Sequence, residues 1–304
     1  MDFGGGACDH HTVHDCKFVY YGVFIRRNYV LGIHDSGSVT CQNTAWTGGK
    51  LFCCAIYYGL YRPSDLFVRC CDPEQGIEEI FEGEFVKMNV LITGTGSGIG
   101  KGCAEYFLKE GHRVFGFDRK ESAIVDENYT HYCLDIREES AYPELPEIQV
   151  LINNAGVQND NDIDVNLKGT ISITEHYGIQ PEIRSIVMIG SASGHTGSEF
   201  PEYAASKGGV LAYTKTVAMR IAAYQGTCNS LDFGGVMTEL NRPVMEDETL
   251  WNEIMELTPL KRWMTVEEAA EWIYFMAVTN RFCTGQNILI DGLEAGNCNF
   301  VWPK

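Results

Sequence analysis

Past Val90 the chain alternates between short runs of branched apolar residues and longer stretches whose apolar positions recur three and four apart, a pattern that residues 1–87 lack. The short runs read as buried strands and the longer stretches as amphipathic helices. Strands are predicted at Val90–Thr93, Arg113–Asp118, Tyr132–Ile136, Val150–Asn153, Ser185–Ile189, Asn229–Phe233 and Asn287–Asp291. Helices are predicted at Gly98–Lys109, Glu202–Ala222 and Val266–Ala277. Strand and helix in strict alternation imply an α/β domain, a doubly wound parallel sheet with helices on both faces.

Composition narrows what such a domain handles. The 304 residues are 45% hydrophobic and 21% charged, enough apolar material for a packed core. Net charge is −18, and residues 88–304 alone, with 16 basic and 30 acidic side chains, sit near −14. So acidic a chain is repelled by nucleic acid and by anionic lipid, and neither is an expected partner. No run of 18 apolar residues argues for a membrane span, and the opening Met-Asp-Phe-Gly-Gly-Gly-Ala-Cys-Asp-His-His lacks the features of a secretory signal. A cytoplasmic, reducing location is expected, with the 12 cysteines as thiols.

Seven of those cysteines lie in residues 1–87. The run Cys8-Asp-His-His-Thr-Val-His-Asp-Cys16 sets His10, His11 and His14 between two thiols, yet zinc modules space thiols in two close pairs, and this run does not. Disorder or untranslated sequence is the expectation for this extension, a metal-binding module the competing one, and no metal is expected in the rest of the chain. Met88 directly precedes Asn-Val-Leu-Ile-Thr-Gly, and the codons of Glu82-Gly-Glu84 can spell a ribosome-binding site. A native start at Met88 is therefore expected.

Chemistry enters through signals in one order. Thr93-Gly-Thr-Gly-Ser-Gly-Ile-Gly100 joins the first strand to the first helix. Gly94 permits a tight turn, Gly98 lets backbone approach a pyrophosphate, and Gly100 allows close helix–strand packing, while the helix start offers unpaired N–H groups. Such glycines alone could be a plain loop; the strand before, the helix after and an acid downstream make them a dinucleotide site. That acid is Asp118, 18 residues after Gly100. A carboxylate there accepts both ribose hydroxyls of NAD and repels the 2′-phosphate of NADP. Arg119 and Lys120 pull the other way, toward a phosphate. NAD is the expected cofactor and NADP the lesser alternative, with a plain turn cap as the structural reading of Asp118. Asn153-Asn-Ala-Gly156 follows the fourth strand and Ser191 the fifth, while Tyr203 and Lys207 share one helix face. A free tyrosine titrates near pH ~10, and a fixed ammonium beside it favours phenolate and brings proton exchange toward neutral pH.

Together these motifs resemble the short-chain dehydrogenase/reductase family over roughly residues 88–292. The resemblance implies a Rossmann-type single domain that moves hydride between NAD(H) and a secondary alcohol or ketone, the small-molecule partner. It implies Asn166, Ser191, Tyr203 and Lys207 as the catalytic set. Tyr203 would be the general acid/base, and Lys207 would lower its pKa and hold the ribose hydroxyls. Ser191 would hold the substrate oxygen, and Asn166 would position a water linking Lys207 to solvent. Cofactor contacts are implied from Thr93, Gly94, Gly98, Ile99, Gly100 and Asp118, and from Asp135 and Ile136 beside the adenine. Asn153, Ala155 and Gly156 would serve the nicotinamide ribose, and Gly234, Val236 and Thr238 the carboxamide. Ser97, where phosphate-preferring members often carry a basic residue, agrees with NAD. Ser193 competes with Ser191, Asn166 reads also as a helix cap, and His195 reads as a loop histidine because the tyrosine already serves as base.

The chain departs from the family's pattern at Phe233, where proline is usual, and at Gly292-Leu-Glu, which lacks a second glycine. Asn166 follows Gly156 by ten positions where the family has over twenty. Pro143 and Pro146 interrupt any helix after the third strand. The third and fourth crossover helices are therefore expected to be trimmed, and a homo-oligomer is left open. Residues 239–265 form the expected lid, whose Leu240, Trp251, Met255 and Trp263 suit a hydrophobic substrate or simply pack the lid. The competing function is a dinucleotide-binding sensor or scaffold without turnover, which has no need of an Asn-Ser-Tyr-Lys set.

Overall fold

Val90, Leu91 and Ile92 have no solvent exposure at all and Thr93 only 1%, as a strand covered on both faces must. They belong to β1 (Asn89–Thr93), the centre of a sheet with β2 (Arg113–Asp118), β3 (Tyr129–Cys133), β4 (Val150–Asn153), β5 (Ser185–Ile189), β6 (Thr227–Phe233) and β7 (Asn287–Ile290). All pair in parallel, in the order β3-β2-β1-β4-β5-β6-β7. The order reverses between β1 and β4, which opens a crevice at the carboxyl ends of the strands. The computed structural model describes residues 87–158, 161–198 and 200–296, and upstream only strand segments between residues 31 and 81. The Cys8–Cys16 run lies outside the described residues. The chain divides into two compact units, Met1–Val86 and Lys87–Lys304. Within the first, Cys53–Tyr58, Leu66–Asp72 and Gly76–Phe81 pair antiparallel.

The helices of the second unit are α1 (Gly98–Lys109), α2 (residues 163–178), α3 (Ser193–Thr196), α4 (Pro201–Ile221), α5 (Arg242–Glu246), α6 (Glu248–Leu257) and α7 (Val266–Tyr274). Alternate strand residues serve opposite faces. Val90, Ile92, Ile152, Val187 and Leu231 pack with Phe107 of α1 and Ile273 of α7. Leu91, Leu151, Ile186 and Met188 pack with Ile173 of α2 and Val210 and Val217 of α4. Among the described residues no helix is long and apolar enough to cross a membrane.

One predicted element needs correction. The third strand lies at Tyr129–Cys133 and not Tyr132–Ile136, because Cys133 pairs with Asp118, the last residue of β2, and the ladder ends there. Leu134 and Ile136, whose apolar character mimics a strand, are instead buried anchors of the loop beyond. The fourth crossover carries a helix over residues 163–178. It runs as π, α and π segments, Ile163–Gly169, Thr170–Ile173 and Thr174–Gly178. The third crossover, with its prolines, holds only the 3₁₀ turn Glu139–Ala141.

At the base of β1, Met88 N donates to His112 Nδ1 at 3.3 Å, and His112 packs against Phe107 and Tyr274. Burial lowers the His112 pKa to about 4. The unfolded chain therefore binds a proton that the folded one refuses, so this stabilisation is whole above pH ~6.5 and lost as the pH falls toward 4. In thermal melts from pH 7 to 4.5, the wild type is expected to lose stability faster than His112→Asn; parallel curves would show that His112 titrates normally.

Candidate active site

The turn after β1 is shaped by glycine. Gly94 and Gly98 have φ of 79° and 55°, in the left-handed region that a β-carbon resists. A β-carbon on Gly100 would stand 2.1 Å from Gly94 O, so α1 could not start so close to the strand. Ser97 makes no side-chain capping bond to the first turn of α1, which leaves backbone N–H groups at a positive helix end for a phosphate. Across the switch point, Thr93 Oγ1 accepts from Asn154 N and Ala155 N, each at 3.0 Å, pinning β1 to β4. Thr238 Cγ2 lies 3.4 Å from where a Gly98 β-carbon would be, so the segment after β6 comes to the same turn. Asp118 holds the rear of the turn: Oδ2 accepts from Gly96 N and Oδ1 from Lys120 N, both at 2.8 Å. These features fit a dinucleotide.

Other residues expected around the cofactor have structural contacts of their own. Asn153 is 4% exposed and donates to Thr174 Oγ1 of α2 at 2.9 Å. Ile136 is a core residue packed where Gly169 has no side chain. Asp135 is gripped by Arg137 Nε and Nη2, at 3.0 and 2.7 Å, and this pairing holds its carboxyl below the usual range. Ile99 is half-buried at the start of α1. Gly156 faces Asn166, Val236 is buried and bridged to Met264, and Gly234 packs on Asp291.

α4 carries Tyr203 and Lys207 one turn apart. Lys207 is 6% exposed, donates to Ile189 O at 2.8 Å, and has Nζ 5.7 Å from the Tyr203 ring centroid. Burial brings its pKa down to about 8, opposed by the negative charges of Asp232 and Asp162. Ser191, 8% exposed, follows β5; its Oγ accepts from Ser193 N at 3.2 Å and lies 3.3 Å from Ser193 Oγ. The two serines are thus one bonded unit.

Asn166 is no helix cap. It sits inside the π segment Ile163–Gly169, an arrangement common at functional positions. Its Oδ1 accepts from Val157 N at 2.8 Å, and Nδ2 donates to Val157 O at 2.9 Å and to Ser206 Oγ at 3.1 Å. Ser206 Oγ donates in turn to Tyr203 O at 2.7 Å, so Asn166 is tied to the helix of Tyr203. Gly209 makes the approach possible, since a β-carbon there would lie 2.7 Å from Leu167 Cδ2.

Ser206 and the buried Asp162 and Asp232 escaped sequence reasoning. Asp232 carries the clearest signal, a carboxylate inside the otherwise uncharged strand Thr-Cys-Asn-Ser-Leu-Asp-Phe. His195, read as a loop histidine, is its partner at 2.6 Å. Among the described residues no group of three or more His, Cys, Asp or Glu could hold a metal ion.

A family model described as enoyl-(acyl carrier protein) reductase matches residues 94–292. The chain is 33% identical over 238 residues to the 3-oxoacyl-[acyl-carrier-protein] reductase FabG of Thermotoga maritima, covering 66% of this chain and 95% of the relative. Two solved structures share the fold. A 4-hydroxyisoleucine dehydrogenase complexed with NADH superposes with a TM-score of 0.64 at 25% identity, over 70% of this chain and 100% of that one. Ligand-free aldohexose dehydrogenase of Thermoplasma acidophilum gives a TM-score of 0.62 at 26% identity, over 73% and 99%.

Proposed function

This chain is an oxidoreductase of the short-chain dehydrogenase/reductase family, and from that premise we propose that it interconverts a secondary alcohol and a ketone with NAD(H), using Tyr203 as general acid/base. The observation that carries the reading is the buried Lys207 ammonium beside the Tyr203 ring, on a helix whose other contacts lead to Ser191 and Asn166. The catalytic unit is residues 88–304, with residues 1–87 an extension outside it.

Bound in the glycine cradle, NAD(H) supplies or accepts the hydride. Gly94, Gly98 and the start of α1 would hold its pyrophosphate, and Asp118 would take the adenosine ribose. Ser191 donates to the ketone oxygen and fixes the carbonyl in place. Tyr203 gives its hydroxyl proton to that oxygen as negative charge gathers there, and takes a proton back from the alcohol in the reverse direction. Lys207 stabilises the resulting phenolate and would hold the nicotinamide ribose of the bound cofactor. Asn166 keeps α2 and α4 in register, so that water can reach Lys207 and restore the proton. The named activities of the relatives, on a 3-oxoacyl group, a hydroxy amino acid and an aldohexose, share a carbon bearing hydroxyl or oxo oxygen, which supports this class.

Because Lys207 titrates near 8, its cation is lost above that pH and Tyr203 loses its stabiliser. Ketone reduction at saturating NADH is expected to fall as the pH rises through 8; a rate flat to pH 10 would contradict it. The reading as a whole is tested by a panel of ketones and secondary alcohols followed at the NADH absorbance. Tight NADH binding with no absorbance change across the panel would favour a sensor instead.

A further inference from the structure

Asp232 stands where an interior strand should carry no charge. It is 0% exposed, and burying an ionised carboxylate without partners costs several kcal/mol. One oxygen has an answer: Oδ2 lies 2.6 Å from His195 Nε2, and the His195 side chain is 31% exposed, so the pair runs from the core to the surface. The other oxygen, Oδ1, has no hydrogen-bond partner. It sits against Gly190, where a β-carbon would be only 1.8 Å away.

The backbone over Asp232 is the part of the chain that the reaction uses. Gly190 N donates to Leu231 O at 2.9 Å and Ala192 N to Phe233 O at 3.0 Å, so Ser191 lies between two bonds to β6, one on each side of Asp232. Ile189, just before Gly190, gives its carbonyl to Lys207 Nζ. His195 closes the segment, its N–H donating to Ala192 O at 3.0 Å while its ring reaches down to Asp232.

We propose that Asp232 and His195 are positioning residues for the hydride transfer: the carboxylate, locked to the imidazole, fastens the Ser191 segment to the sheet and sets a negative charge beside Lys207. The inference rests on the function proposed above. Lys207 is faced by Asp232 from β6 and by Asp162 from the approach to α2; Asp232 is faced by His195 from α3, Lys207 from α4 and the Ser230 hydroxyl of its own strand. Burial pushes the Asp232 carboxyl up, and those partners oppose it. With Asp232 ionised, His195 must carry its proton on Nε2 to donate to it.

The test compares wild type, His195→Ala, His195→Gln and Asp232→Asn, with NADH and an accepted ketone. His195→Ala is expected to lower kcat about tenfold or more by loosening Ser191, with the NADH dissociation constant unchanged. His195→Gln, whose amide can still donate to Asp232, restores most of the loss. Asp232→Asn removes the negative neighbour of Lys207, so the alkaline limb of its pH–rate profile moves below the wild-type value near 8, while in His195→Gln the limb stays. Wild-type kcat in His195→Ala, a glutamine variant no better than alanine, or an unmoved limb in folded Asp232→Asn overturns the inference. If Asp232→Asn does not fold, the alanine–glutamine comparison decides alone. Imidazole nitrogen NMR of the wild type gives a readout without turnover: a proton on Nε2 of His195 is expected, and the Nδ1 tautomer overturns the pair. A wild type with the Nε2 tautomer that binds NADH but turns over nothing fails the proposed function first and the positioning role with it.

Discussion

Tyr203→Phe is expected to leave NADH binding nearly intact and to lower turnover a hundredfold or more, the usual worth of general acid–base catalysis. Phenylalanine keeps the ring and its place 5.7 Å from Lys207 Nζ, and loses the oxygen proposed to exchange the proton. The glycine turn and Asp118, proposed to hold the cofactor, lie on other elements and are untouched. The loss should therefore fall on kcat, because the missing interaction belongs to the transition state. Lys207→Ala is expected to do worse, since cofactor affinity and tyrosine activation fall together. A Tyr203→Phe enzyme that keeps more than about a tenth of the wild-type rate would exclude Tyr203 as the acid.

NADH is expected to be preferred to NADPH by at least tenfold in kcat/KM, about 1.4 kcal/mol. Asp118 is held in place on both sides, by Gly96 N and Lys120 N, so it cannot easily swing away from a 2′-phosphate. A β-carbon at position 96 would come within 2.9 Å of Asp118 Cγ, and glycine there is what lets the carboxylate lie so close to the turn. Asp118→Ser is expected to shrink or invert the preference, because repulsion disappears while Arg119 and Lys120 remain to meet a phosphate. A wild-type preference for NADPH would show that those two cations dominate.

Strands buried on both faces announce themselves, since no alternation dilutes the apolar run; β1, β2, β4 and β5 were legible for that reason. The third strand was not, because Leu134 and Ile136 are apolar for the sake of a buried loop, and only the pairing partner of Asp118 sets where the ladder stops. The nearness of Tyr203 and Lys207 was legible because it depends on a local, four-residue spacing. Asp232 and His195 are 37 positions apart, and nothing local joins them; only the fold brings carboxylate and imidazole to 2.6 Å. Ser206 is similar, an ordinary helix serine until Asn166 arrives from α2.

Hydride transfer itself is tested most directly with NADH carrying deuterium at both C4 positions of the nicotinamide. In ordinary water, with an accepted ketone, the alcohol formed is expected to gain one deuterium on its carbinol carbon and none on oxygen after exchange, with a slower rate than unlabelled NADH. An alcohol without deuterium at carbon, or labelled NADH left unconsumed while product forms, would contradict the account.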